Sequence, residues 1–180
     1  MIKSKKYSIG IFGGSFDPPH KGHLKITLLA IKKFNLKKVY WIVTKKNPFK
    51  KKSLFTLEQR VHKCKKILQN KKNIQVKYLE NRTKSDRTID TIKYLKKKNP
   101  NNRFYLIVGS DNLITFHKWK SWKNIVKISK LLVFSRKGYD QKAKKSVIVE
   151  SLNNQNIIFV KNKKLDISST KIRKKLKKNN

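Results

Sequence analysis

Tyr7-Ser8-Ile9-Gly10-Ile11-Phe12 runs directly into Gly13-Gly14-Ser15-Phe16-Asp17-Pro18-Pro19-His20-Lys21-Gly22-His23, and this stretch decides the fold. Tyr7 to Phe12 is apolar and β-branched enough to be a buried first strand. Glycine and proline then break the pattern, so Gly13 to Pro19 reads as a tight loop. From His20 to Phe34 the apolar residues Leu24, Leu28, Ile31 and Phe34 return at near-helical spacing, which predicts a helix. Working outward, the alternation continues. Strands are expected at Val39–Val43, Ile74–Leu79, Phe104–Val108, Lys130–Phe134 and Ile157–Val160, and helices at Leu57–Leu68, Thr88–Lys97 and Ser168–Leu176. Asn99-Pro100 closes the third helix, and Gln141 to Lys145 reads as a solvated loop. Strands alternating with helices argue for an open α/β sheet, mostly parallel.

Composition bounds the rest. A chain of 180 residues supports one domain, taken as 1–180, with a proper core. No apolar run is long enough to span a membrane, and the first apolar stretch is too short for a signal peptide. The lone cysteine, Cys64, excludes an internal disulfide and reads as a core or half-buried residue, not a nucleophile. A cytoplasmic, reducing compartment fits. A formal charge of +39 suggests a nucleic-acid binder at first sight. Yet only six of the 48 basic residues are arginine, and the lysines run from end to end among many asparagines and isoleucines. That pattern matches AT-rich codon usage better than a nucleic-acid surface, which favours clustered charge and arginine. No specific nucleic-acid or membrane partner is expected, although the positive field would attract anionic substrates.

Two motifs carry chemistry. The loop Gly13 to His23 lies at the carboxyl end of the first strand, where open α/β sheets bind ligands. Its glycines let a ligand approach the backbone, and the helix start offers N–H groups to an anion. His20 and His23 are three apart and share one helical face, which Gly22 leaves uncluttered. Beside phosphates, two imidazoles can donate to oxygens that gain charge as a bond breaks. Two of the four histidines in the chain fall here; His62 and His117 read as structural or exposed. Asp17 reads as a residue that fixes the loop. The second motif, Ile167-Ser168-Ser169-Thr170-Lys171-Ile172-Arg173, looks like a helix opening. Its capped N–H groups suit a phosphate, as does Arg173 one turn on.

Together the two strings resemble the nucleotidyltransferase superfamily with (T/S)FDxxHxGH and ISSTxIR signatures, over essentially the whole chain. Within it the sequence is most similar to the bacterial nicotinate-nucleotide adenylyltransferases. The similarity is carried by Gly13–His20, Asn47-Pro48-Phe49-Lys50, Val108-Gly109-Ser110-Asp111-Asn112-Leu113 and Phe116-His117-Lys118-Trp119. In the loop after the second strand, Asn-Pro-Phe-Lys replaces the Pro-Pro-His common in that family.

The resemblance implies a Rossmann-like, doubly wound sheet with helices on both faces. It also implies synthesis of nicotinate adenine dinucleotide from ATP and nicotinate mononucleotide, with Mg²⁺ carried on the ATP phosphates and no metal held by the protein. It implies catalytic roles for His20, His23 and Arg173. ATP would meet Gly13, Gly14, Ser15, Phe16, Gly22, Gly109, Asp111, Ser168 and Ser169, with Asp111 on the ribose. Nicotinate mononucleotide would meet Asn47, Lys50, Thr88 and Trp119, the indole stacking on the pyridine ring. Thr91 matches the second of the family's two threonines, and Trp122, three residues beyond Trp119, competes with it as the stacker. The oligomeric state is expected to be monomer or homodimer. Other acceptors in the superfamily are phosphopantetheine and nicotinamide mononucleotide, and cytidylyl transfer is a further variant. From a different class stands a nucleic-acid-binding protein on the same fold.

Overall fold

The computed structural model describes residues 6–45, 53–153, 155–162 and 167–178. Asn47 and Lys50 lie outside them. The strands are β1 (Ser8–Gly14), β2 (Leu36–Val43), β3 (Ile74–Lys77), β4 (Arg103–Gly109), β5 (Lys130–Phe134) and β6 (Ile157–Val160). The helices are α1 (Lys21–Phe34), α2 (Leu57–Ile67), α3 (Glu80–Thr83), α4 (Thr88–Lys98), α5 (Ser110–Ile114), α6 (Trp122–Ile128), α7 (Asp140–Lys144), α8 (Val147–Ser151) and α9 (Ser169–Lys178), with a 3-10 turn at Phe116–Lys118.

The strands pair in the order β3-β2-β1-β4-β5-β6, and every pairing is parallel. Side chains alternate faces along a strand, so the sheet separates two cores. Ile9, Ile11, Leu106, Val108, Leu131 and Val133 face one layer, with Ile92 of α4 and Ile125 of α6 packed on it. Phe12, Val39, Trp41, Ile107 and Phe134 face the other, covered by Ala30 of α1 and Cys64 of α2. Helices on both faces of a sheet in this order make the doubly wound fold, whose strand order reverses between β1 and β4.

Three differences from the sequence reading have local causes. β1 extends through Gly13 and Gly14, because both pair with Ile42 and Val43. β2 begins at Leu36, since Asn35 ends α1 in the left-handed region (φ 46°) and leaves no loop. The segment read as a solvated loop at Gln141–Lys145 is instead mostly α7, anchored by fully buried Ala143. A single buried alanine among polar residues makes no apolar period, so the helix is invisible to pattern.

Candidate active site

At the β1–β4 reversal the sheet opens into a cleft of about 830 Å³, within the range of a small-molecule site. Gly13 and Gly14 of β1 and Gly109 of β4 line it, together with His20 and His23 of α1. His20 caps the helix: its Nδ1 accepts from the Gly22 amide at 3.1 Å. The His20 amide in turn donates to His23 Nδ1, also at 3.1 Å. This reciprocal pair is a capping box built from imidazoles. An acceptor at Nδ1 fixes the tautomer, so a ring that is neutral carries its proton on Nε2. The rings lie 3.8 Å apart. Burial and the nearby Arg136 guanidinium lower the His20 pKa to about 4, so it is a neutral donor at pH 7. Gly22 is required here: a Cβ would sit 2.8 Å from His20 Nδ1.

His23 rests on a buried aromatic floor. Phe16, 2% exposed, stacks on Trp41 with centroids 4.8 Å apart and lies 5.1 Å from the His23 ring. Its backbone takes a φ of 47°, the left-handed region that non-glycine residues avoid. The Phe16 ring packs beneath the histidine, and Phe16 also lines the cleft. Beneath it, Trp41 Nε1 donates to Thr27 Oγ1 at 2.8 Å, and Thr27 Oγ1 donates to the His23 carbonyl at 2.9 Å.

The loop between β1 and α1 is tied down from two sides. The Asp17 carboxylate accepts from the amides of Leu54 and Phe55 at 2.9 and 3.0 Å. The Asp17–Pro18 peptide is cis. Arg173 Nη1 donates to the Asp17 carbonyl at 2.6 Å and lies 3.7 Å from its carboxylate, while Nη2 donates to Thr170 Oγ1. Ser169 Oγ donates to the Pro18 carbonyl at 2.9 Å, and Ser168 Oγ accepts from the Lys171 amide at the start of α9. In this state Ser169 and Arg173 bind the loop's own backbone, which holds α9 against the mouth of the cleft, where Ile167 lines the wall.

Sequence reasoning missed Arg60. It is only 2% exposed, on the buried side of α2. Nη1 donates to the carbonyls of Ser15 and Thr44, Nη2 to that of Lys45, and Nε to that of Phe55. One guanidinium thus joins the loops after β1 and β2 to the start of α2. Burial lowers its pKa, opposed chiefly by the field of Asp17. The available signal was an arginine at the i−4 position from buried Cys64, inside an apolar stripe.

On the β4 side, Asp111 Oδ2 pairs with Arg136 Nη1 at 2.5 Å, while Oδ1 is buried with no hydrogen-bond partner. A buried carboxylate oxygen without a donor is costly and fits a site awaiting one. Gly109 has no Cβ, and one placed there would overlap Asp111 Oδ1. Thr88, Thr91 and Trp119 line the same cleft. Trp119 stacks on Phe116 at 4.7 Å, with one face toward that core residue. Trp122 packs against the core and begins α6. Arg87 precedes the first turn of α4, which opens at Thr88 as the sequence reading has it. His62 is exposed, and His117 Nδ1 is buried without a partner. Among the described residues no three His, Cys, Asp or Glu side chains come together to hold a metal ion, and no helix is long and apolar enough to cross a membrane.

A parallel sheet whose reversal point meets a glycine-bordered, histidine-capped helix start defines a Rossmann-type nucleotide-binding protein. The sequence narrows that class. A family model described as Cytidylyltransferase-like matches residues 11–175. A relative from Pelagibacter ubique (strain HTCC1062), named "Probable nicotinate-nucleotide adenylyltransferase", is 46% identical over 96% of both chains. One of the same name from Aquifex aeolicus (strain VF5) is 37% identical over 89% of this chain and 98% of its own. The chain belongs to the cytidylyltransferase-like family and, within it, to the nicotinate-nucleotide adenylyltransferases. Among solved structures, Plasmodium falciparum nicotinic acid mononucleotide adenylyltransferase complexed with NaAD superposes with a TM-score of 0.74 at 25% identity. The alignment covers 93% of this chain and 83% of that one.

Proposed function

We propose that the chain joins ATP to nicotinate mononucleotide, giving nicotinate adenine dinucleotide and pyrophosphate. The observation that carries this is the single cleft lined by the anchored His20–His23 pair and by Asp111, Thr88 and Trp119. The family membership and the dinucleotide named in the Plasmodium structure support the same reading.

The reaction is an in-line displacement. The 5′-phosphate of the mononucleotide attacks the α-phosphorus of ATP, and the bond to the β-phosphate oxygen breaks. Pyrophosphate leaves with that electron pair. A phosphate whose second pKa is near 6 is already an anion at pH 7, so the protein supplies neither nucleophile nor base. Its work is positioning and charge stabilisation. His20 and His23 would donate Nε2–H to phosphate oxygens as negative charge moves onto the leaving group. Gly13, Gly14, Ser15 and Gly22 would admit the triphosphate to the helix start. Ser168, Ser169 and Arg173 would close over it by exchanging loop carbonyls for phosphate oxygens. Gly109 and Asp111 would take the ribose, orphaned Oδ1 accepting a hydroxyl proton. Thr88 and the α4 start would receive the nicotinate carboxylate, and Trp119 would stack on the pyridine ring. Asn47 and Lys50 would complete the mononucleotide side. Mg²⁺ would enter on the triphosphate, where it keeps several waters. Among the described residues, the carboxylates lining the cleft are Glu80, Asp86 and Asp111. Buried Cys64, as a free thiol, fits a cytoplasmic setting. The family model's span supports one domain carrying both substrates.

The test is pyrophosphate release from MgATP with nicotinate mononucleotide, nicotinamide mononucleotide and phosphopantetheine in parallel. Release with the nicotinate substrate far above the others is expected. Preference for phosphopantetheine would refute the acceptor site at Thr88 and Trp119, and no release with any acceptor would refute the reaction.

A further inference from the structure

Arg136 follows β5 and has no part in the reaction as drawn. Its backbone is pinned twice: the amide donates to Ser110 Oγ of α5 and to Asp140 Oδ1 of α7, each at 2.9 Å. Its side chain is otherwise placed. It is 45% exposed, lines the cleft, and meets only Asp111 Oδ2 among the interactions described for the guanidinium. It lines the same cleft as Asp111 and the His20–His23 pair, and its charge is felt at His20. Arg87 also lines the cleft, and Arg173 is already committed to the Asp17 carbonyl and Thr170.

We propose that Arg136 is a phosphate-binding residue that changes partners during turnover, holding Asp111 in the empty enzyme and the departing pyrophosphate of ATP in the loaded one. This rests on the adenylyl-transfer reading above. Three arguments carry it. The ion pair is partly exposed, Arg136 at 45% and Asp111 at 23%, so exchanging it costs less than breaking a fully buried pair. A pyrophosphate oxygen pair matches the guanidinium fork, and a charge-assisted bidentate contact is the stronger partner. Finally, the exchange frees Asp111 Oδ2 as the ribose arrives, so one movement prepares both ends of the nucleotide site. As the α-phosphorus bond breaks, charge accumulates on the β-phosphate oxygen, and a guanidinium there is worth most in the transition state.

The experiment is calorimetric titration of inorganic pyrophosphate with Mg²⁺, and separately of adenosine, into wild type and Arg136→Met, together with kcat for pyrophosphate release. Neither titration uses the acceptor, so an error about nicotinate mononucleotide leaves both intact. Pyrophosphate affinity is expected to fall about tenfold or more, with kcat lowered and adenosine binding unchanged or tighter. Equal weakening of adenosine and pyrophosphate would mean that Arg136 only holds Asp111 and its loop, and would overturn the proposal. Unchanged pyrophosphate binding would overturn it too.

Discussion

Thr27→Val tests whether His23 is built from beneath. Thr27 and Trp41 are both fully buried, and the threonine hydroxyl is the acceptor for the indole N–H at 2.8 Å. Valine fills nearly the same volume, so the cavity contribution is small. It leaves a buried indole donor with no partner, a loss of about 1–3 kcal/mol. It also removes the hydroxyl that reaches the His23 carbonyl at 2.9 Å. Taking about 2 kcal/mol, and 2–4 °C per kcal/mol for a chain of this size, Tm should fall by about 4–8 °C. Trp41→Phe removes the donor itself, so Thr27→Val should cost less in that background. Denaturant unfolding of the four proteins in the cycle should give a coupling of about 1 kcal/mol or more. If the two costs add to within about 0.5 kcal/mol, the buried bond is not holding the pair together and the reasoning fails. Thr27→Ser, which keeps the hydroxyl, should recover most of the stability and the turnover rate that Thr27→Val loses.

Other expectations follow from single groups. His23→Ala should lower kcat by on the order of a hundredfold, as loss of a transition-state donor does; a near-normal kcat would remove it from the mechanism. The His20 ring should titrate near pH 4 by NMR, not near 6.5. Because its folded pKa is depressed, the unfolded chain binds the proton first. The stabilising contribution is full above about pH 6.5 and lost as pH falls toward 4. Arg60→Met strips the donors from four backbone carbonyls and should cost about 3 kcal/mol, a Tm loss of roughly 6–12 °C by calorimetry. Cys64 is fully buried, and burial pushes its thiol up to about 12, so a thiol reagent should react only after denaturant is added.

What the sequence made legible was whatever repeats or breaks a period. The long helices and all six strands show as apolar alternation, and the histidine-bearing loop shows as glycine and proline between them. The short helices α3, α5, α7 and α8 span only four or five residues, too few for a period, and depend on single anchors such as Leu113 and Ala143. The loop motif gave the residues but not their couplings. That His20 and His23 together cap the start of α1 is a matter of side-chain rotation. That Arg173 and Ser169 meet Asp17 and Pro18 joins positions more than 150 residues apart.

One signal was present and unread. With 42 lysines in a chain holding six arginines, lysine is the default wherever charge alone is wanted. An arginine then marks a place where the planar fork is needed. Three of the six behave so. Arg60 gathers four carbonyls, Arg173 spans Asp17 and Thr170, and Arg136 meets a carboxylate at the cleft. All three border the loops around one site. The abundant lysines read as codon usage and named no site; the rarer cation, read by its geometry, points to the cleft where an anion would be handled.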